Sequence, residues 1–380
     1  MIFLSTGIGR FAAITLRWAG GLLALVAISS QSGAAAFPAK EVVLSRAEMQ
    51  QTVAHARDRV TQWTGPSSGP TARPGMSVAV ICEDLRNGGV LGVARGIEEA
   101  AAVLGWHIEI IDAHGSADGR NEAISAALAL KPDGAVLVGS DAGVLAGQLA
   151  QFALRGIPLV GWHVGALAGR MPGSVAMNIS SDPLEVARVT AMAAIADSGG
   201  KAGVVIFTDS NFAIAMTKAK EMEGVVRACK ECTLLDVLDV PISRSAKLMP
   251  EVTQALLKQY GARWTVSLAI NDIYFDYMSP ELSRAGQEVR LYSAGDGSPS
   301  AFLRIQAGVF QAGTVAEPLN LQGWQLLDEL NRLLARQPVS GYIMPVHLVT
   351  HDNIGFDGGP HLVFDPDNGY RQAYRRIWQR

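Results

Sequence analysis

"SVAVICEDLRNGGVLGVARGIEEAAAVLGWHIEIID", Ser77–Asp112, is the stretch on which the fold turns. Its first six residues are a nearly unbroken run of small and β-branched side chains, the composition of a strand. From Gly88 onward the rhythm changes. Val90, Val93, Ile97, Ala101 and Leu104 recur at helical spacing, and "HIEIID" then reads as a second strand. Two strands joined by a helix of this length pair in parallel. Strands apolar on both faces are buried on both faces, so helices cover each side of the sheet.

Working outward, the same alternation continues. Asn121–Leu130 reads as a helix, "DGAVLVGS" as a strand, Val144–Leu154 as a helix, and "IPLVGW" and "GSVAMN" as strands. It restarts with a helix over Asp182–Ala196, a strand "AGVVIF", a helix over Ala213–Cys229 and a strand "LLDVLDV". A helix over Met249–Tyr260 follows, with Met249, Val252, Leu256 and Tyr260 on one face; "TVSLAI", a short helix and "EVRLYSA" complete the set. "GTVA", a helix over Leu321–Leu334 and a strand-like "YIMPVHLVT" remain, too little for a domain of their own. Each therefore completes one of the two sheets, and the chain crosses between two α/β units more than once, through a multi-strand hinge. A chain of 380 residues, 49% hydrophobic and 18% charged, has the apolar material for two such units.

The formal charge of −3 gives no reason to expect a nucleic acid as partner. Within the first 36 residues Arg10 and Arg17 are the only charges, followed by "WAGGLLALVAISSQSG" and then "AAAF". A basic start, a short apolar run and small residues describe an export signal cleaved near Ala36. An uncleaved anchor is the alternative, although the run is short and glycine-rich for a membrane span. Residues 37–75 form an extension: a helix within "EVVLSRAEMQQTVAHARDRV", then the loop "TGPSSGPTARPG". Cys82 lies in an apolar strand. Cys229 and Cys232 follow a helix rather than opening one, which favours a structural disulfide or two plain thiols over redox chemistry.

In open parallel sheets ligands sit beyond the carboxyl ends of the strands. The polar loops there are Glu83–Asn87, Ser140–Asp141, Gly161–His163, Thr208–Phe212, Asn271–Asp272 and Gly295–Gly297. They mix amides, carboxylates and aromatic rings, a combination suited to a small hydroxylated molecule. In order, "DLRNGG", "KPDGAVLVGSD", "RGIPLVGWH", the Asn271–Asp272 step, "SAGDGSPSAFLRIQAG", "GTVAEPLNLQGW" and "LVTHDNI" resemble the periplasmic sugar-binding proteins of ABC transporters. The likeness is to the branch (type I periplasmic binding proteins) that shares its fold with LacI-type repressor ligand domains, and it covers roughly residues 76–355.

The resemblance implies two Rossmann-like lobes with parallel sheets: lobe one over 76–177 and 318–346, lobe two over 178–317 and 347–355, with 356–380 as a C-terminal tail. It implies a monomer in the periplasm that captures a small polyhydroxylated ligand, closes on it and presents it to a membrane permease, with no cofactor, metal or catalysis. No DNA-binding headpiece is recognisable ahead of the lobes. Carried over position by position, Asn87 and Asp296 match polar ligand contacts, Asn271 matches the asparagine of the family's Asn-Asp step, and Asp141 lies in a loop that often reaches the ligand. Glu317 stands where many relatives carry glutamine, and Glu221 where the usual arginine would be.

Other assignments remain open at the level of residues. Asp296 either caps the helix starting near Ser298 or accepts two sugar hydroxyls. Glu317 either holds backbone at the hinge or contacts ligand. Trp162 either stacks on a sugar ring or belongs to the core. His163, Asp209, Asn211 and Phe212 are further candidates at the strand ends. No Gly-x-Ser-x-Gly elbow and no His-Glu-x-x-His motif occur in the sequence. The alternatives are a sensor component, a binder of a non-sugar polar or aromatic solute, and a periplasmic glycoside hydrolase using Asp296 and Glu317.

Overall fold

A computed structural model describes residues 45–171, 173–358 and 361–380. The export segment and the start of the extension lie outside the described residues. In chain order the first elements are α1 (Arg46–Ala56), β1 (Ser77–Cys82), α2 (Gly88–Leu104), β2 (His107–Asp112), α3 (Ala117–Ala129), β3 (Gly134–Val138), α4 (Ala146–Leu154), β4 (Leu159–Trp162), β5 (Gly169–Arg170) and β6 (Met177–Ile179). Next come α5 (Pro183–Asp197), β7 (Gly203–Thr208), α6 (Ala213–Ala228), β8 (Thr233–Asp239), α7 (Ser245–Tyr260), β9 (Val266–Ala269), α8 (Ile273–Ala285), β10 (Arg290–Ser293), α9 (Pro299–Ala307) and β11 (Gln311–Val315). The chain ends with α10 (Leu319–Leu334), β12 (Leu348–Thr350) and α11 (Tyr370–Trp378).

Two six-stranded sheets result, ordered β2-β1-β3-β4-β6-β5 and β12-β11-β10-β9-β7-β8. Every pairing is parallel except β5 with β6 and β11 with β12. The period of two in "SVAVIC" divides β1 between two cores. Val78, Val80 and Cys82 pack with α2 and α10, while Ala79 and Ile81 pack on the opposite face with α3 and α4. The edge strands β2 and β8 are only half-buried, each having a sheet neighbour on one side alone. The predicted strand "YIMPVHLVT" shrinks to Leu348–Thr350 plus a lone bridge between Met344 and Ser181. Pro345 has no N–H to offer a ladder.

In lobe one α2 and α10 pack backbone to backbone. A side-chain carbon added to Gly96 would stand 2.6 Å from the Asn320 carbonyl oxygen, and one added to Gly323 would stand 2.4 Å from the Gly96 carbonyl carbon. Only paired glycines let two helix backbones approach this closely. The outer face of α10 is covered in turn by the extension and by α11. Asn331 Nδ2 donates to the Pro70 carbonyl, Arg332 donates to the Ser68 carbonyl, and Trp378 Nε1 donates to Asp328. The segment expected as a tail is thus built into the core of lobe one, with Tyr374 and Trp378 wholly buried. α1 instead packs on α5 of the second unit. No helix among the described residues is long and apolar enough to cross a membrane.

Candidate functional site

The carboxyl ends of the two sheets face each other across a cavity of about 70 Å³. At roughly 10–15 Å³ per water that is room for about five waters. Lobe one supplies Glu83, Asp84, Asn87, Trp162 and His163; lobe two supplies Phe212, Lys218, Asn271 and Asp296.

Asn87 is the N-cap of α2. Its Oδ1 accepts from Gly89 N at 2.9 Å, which leaves the amide nitrogen for the cavity. Asp296 does not cap α9; Ser298 does, its Oγ accepting from Ala301 N at 3.3 Å. The Asp296 carboxylate instead lies against the N-terminal turn of α2 across the cleft. A side-chain carbon on Gly89 would fall 2.3 Å from Asp296 Oδ2. Asn271 Nδ2 donates to that same oxygen at 2.6 Å, and its own Oδ1 accepts from Ile273 N at 3.0 Å.

The turn carrying Asp296 is held from beneath by Asp272. Its carboxylate accepts from Gly297 N at 2.8 Å, Ser298 N at 3.2 Å and Gln311 Nε2 at 2.7 Å. Burial raises the Asp272 pKa to about 6; Gln311 and Arg304 oppose the rise, and the Asp296 charge adds to it. A carboxyl raised above its unfolded value binds protons more strongly when folded. Its contribution to stability is present at low pH and is lost as pH rises from about 4 to 6. Asp272→Asn is therefore expected to flatten the decline of unfolding free energy over that window by on the order of 2 kcal/mol. Urea unfolding at several pH values checks this, and parallel curves for the two proteins would refute it.

Four of the expected site residues do not line the cavity. Asp141 Oδ1 accepts from Gly143 and Val144 N, and Oδ2 reaches across to Ala213 N at 3.0 Å, capping α6 of the other lobe. Asp209 binds Ile242 N at 2.7 Å and Asn211 Nδ2 at 2.7 Å, so this pair braces its own loop. Glu317 is buried at the hinge. It accepts from Ser181 Oγ at 2.8 Å, Ser181 N at 3.2 Å and Gln322 Nε2. Burial would push its carboxyl up, but His163 at 3.5 Å, the Lys218 charge and Ser181 bring it down to about 2. Glu317 thereby steadies His163, which does line the cavity.

Trp162 is core and cavity wall at once. Its ring stacks on His163 at 3.7 Å between centroids, and its Nε1 donates to Gln322 Oε1 at 2.7 Å. Lys218 escaped the sequence reading. It is buried on α6, and its Nζ donates to the Ala294 carbonyl at 2.6 Å. The signal was present: Lys218 shares the helix face of Ala215, Met222 and Val226, all buried. A lysine on such a stripe is pointed inward. Cys229 and Cys232, far from the cavity lining, are joined by a disulfide. Among the described residues no group of three His, Cys, Asp or Glu side chains is placed to hold a metal ion.

Among curated proteins none matches this chain in sequence. Solved structures share the fold. An ABC sugar transporter subunit from Rhodobacter sphaeroides 2.4.1 is 20% identical, with TM-score 0.63 over 74% of this chain and 99% of its own. A sugar ABC transporter protein from Yersinia enterocolitica is 15% identical, with TM-score 0.68 over 80% and 96%. An ABC transporter solute-binding protein from Agrobacterium vitis, bound with α-D-tagatopyranose, is 16% identical, with TM-score 0.68 over 76% and 99%. The family model described as "Periplasmic binding protein domain" matches residues 78–338, and the chain belongs to that family.

Proposed function

We propose that this protein is an exported solute-binding protein that captures a small polyhydroxylated ligand, of the sugar class, and presents it to an ABC transporter permease. One observation carries the reading: hydrogen-bonding side chains from both lobes, Asn87 on one side and Asn271 with Asp296 on the other, converge on one small cavity between hinged units. A carboxylate can accept from two neighbouring hydroxyls, and each such charged bond is worth about 1.5–3 kcal/mol. Ligand enters when the lobes part, and closure completes the bonds and excludes water. In this reading lobe one comprises 76–177, 318–346 and the returning α11, lobe two comprises 178–317 and 347–355, and the protein works as a periplasmic monomer. The tagatopyranose-bound relative, and another from Agrobacterium vitis bound with allitol, agree with a sugar or polyol as cargo.

Hydrolysis is the weaker reading. Glu317 is buried at the hinge with Oε2 held by Ser181 and Gln322 and is held ionised, so it has no proton to give a leaving group. Native mass spectrometry of protein purified without added ligand is expected to show a bound neutral solute of monosaccharide size. X-ray scattering should show a smaller radius of gyration with that solute than without it. A tight complex with an unchanged scattering curve would overturn the closure mechanism.

A further inference from the structure

Several of the acceptors lining the cavity already carry hydrogen bonds from the protein. A hexose brings about five hydroxyl protons, each of which needs an acceptor once water is excluded. Among the carboxylates lining the cavity, Arg120 and Ser140 occupy both Glu83 oxygens, and Arg86 occupies both Asp84 oxygens. The amide oxygens of Asn87 and Asn271 each already accept one bond, from Gly89 N and Ile273 N. Asp296 is the least engaged of these carboxylates and amides: its Oδ1 has no protein partner and its Oδ2 accepts only from Asn271, while the Ser243 hydroxyl and the His163 ring also line the cavity. Much of the remaining wall is aliphatic or aromatic: Val90, Phe212, Ile214, Ala215, Ile242 and Ile270. Val90 comes from lobe one and the other five from lobe two, so the apolar wall belongs mainly to lobe two.

We infer that the preferred ligand is a sugar with fewer hydroxyls than a hexose, presenting a deoxy or alkyl group to this wall. The inference rests on the sugar-binding reading above. A hydroxyl facing Ile214, Ile242 and Ile270 would lose its water and gain no acceptor, whereas a methyl group there loses nothing.

Matched pairs test it. The purified mature protein, stripped of ligand by unfolding and refolding, is titrated calorimetrically with L-fucose against L-galactose and with L-rhamnose against L-mannose. In a pair that binds, the deoxy member is expected to bind about tenfold tighter or more. Ile242→Asn, a change at a half-buried turn position, is expected to shrink or reverse that ratio. Equal or tighter binding of the fully hydroxylated member overturns the inference and leaves the sugar-binding reading intact. A ratio unmoved by Ile242→Asn overturns the role of the wall. Binding of neither member of either pair overturns inference and reading together.

Discussion

Trp378→Ala is expected to remove about 4 kcal/mol from the stability of lobe one. The residue is the third from last in the chain, where substitutions are usually tolerated. Here it is wholly buried, stacked on Trp324 at 5.3 Å and on Tyr374 at 5.4 Å between centroids. Truncation of a buried aromatic typically costs about 3–5 kcal/mol, and partial collapse of the site sets the value within that range. A second loss compounds it. Trp378 Nε1 donates to Asp328 Oδ1 at 2.8 Å, and Asp328 is itself fully buried, with Arg332 on its other oxygen. Without the indole, a buried carboxylate loses a donor in a place water cannot reach. Trp378→Phe separates the two effects. It keeps most of the ring packing and removes only the N–H, so it should cost about 1–2 kcal/mol. Against a typical stability of about 5–15 kcal/mol, the alanine variant gives up a large share. Denaturant unfolding followed by tryptophan fluorescence reads both variants. An alanine variant within 1 kcal/mol of the parent would show that α11 is a dispensable appendage.

Why that helix was read as a tail is a lesson in what periodicity can carry. Tyr370, Tyr374, Ile377 and Trp378 do recur at helical spacing. The arginines and glutamines between them make the segment polar on average, and polar ends of chains read as solvated. In β1, α2 and β3 the apolar pattern is dense enough to specify strand, helix and parallel pairing without knowledge of any partner. α10 lies between these cases. Its leucines marked a helix, but Gln325, Asp328 and Glu329 are buried as well, on partners in the loop after the helix (Tyr342, Ser340) or in α11 (Trp378). Burial of a polar side chain is decided by its partner, and the partner is a tertiary fact. The candidate site divides the same way. Strand-end loops were legible because the topology of a parallel sheet dictates where ligands sit. Which loop carboxylate faces the cavity was not legible. Asp141 and Asp296 both sit in glycine-bearing turns, and only the assembled lobes send one to cap α6 and the other into the enclosure.

That assembled contact supplies the second large effect. Gly89→Ala is expected to weaken ligand binding by about 100-fold or more while leaving the lobes folded. Gly89 is at the second position of α2, where alanine suits the helix better than glycine by about 1 kcal/mol. With the lobes apart, the Asp296 atoms that the methyl group would strike are withdrawn. With the lobes together, it falls 2.3 Å from Asp296 Oδ2 and 2.8 Å from Asp296 Cβ. The aspartate has little room to yield, because Asn271 grips the same oxygen at 2.6 Å and Asp272 pins the following backbone. The substitution therefore penalises the closed form alone. A ligand shifts such an equilibrium only by its differential affinity for the two forms, so a penalty of about 3 kcal/mol on closure appears as about a 100-fold loss of affinity. Asp296→Ala should also abolish tight binding, but by removing an acceptor, and it should leave ligand-independent closure possible. The double variant then discriminates. If the clash is the cause, adding Gly89→Ala to Asp296→Ala costs less than it does in the parent, because Oδ2 and Cγ are gone and only the Cβ at 2.8 Å remains. Calorimetry gives the affinities and scattering gives the closure. A Gly89→Ala protein that binds and compacts like its parent would mean that the α2 turn and Asp296 do not meet in the ligand-bound state, and the account of the cavity as a product of closure would fall with it.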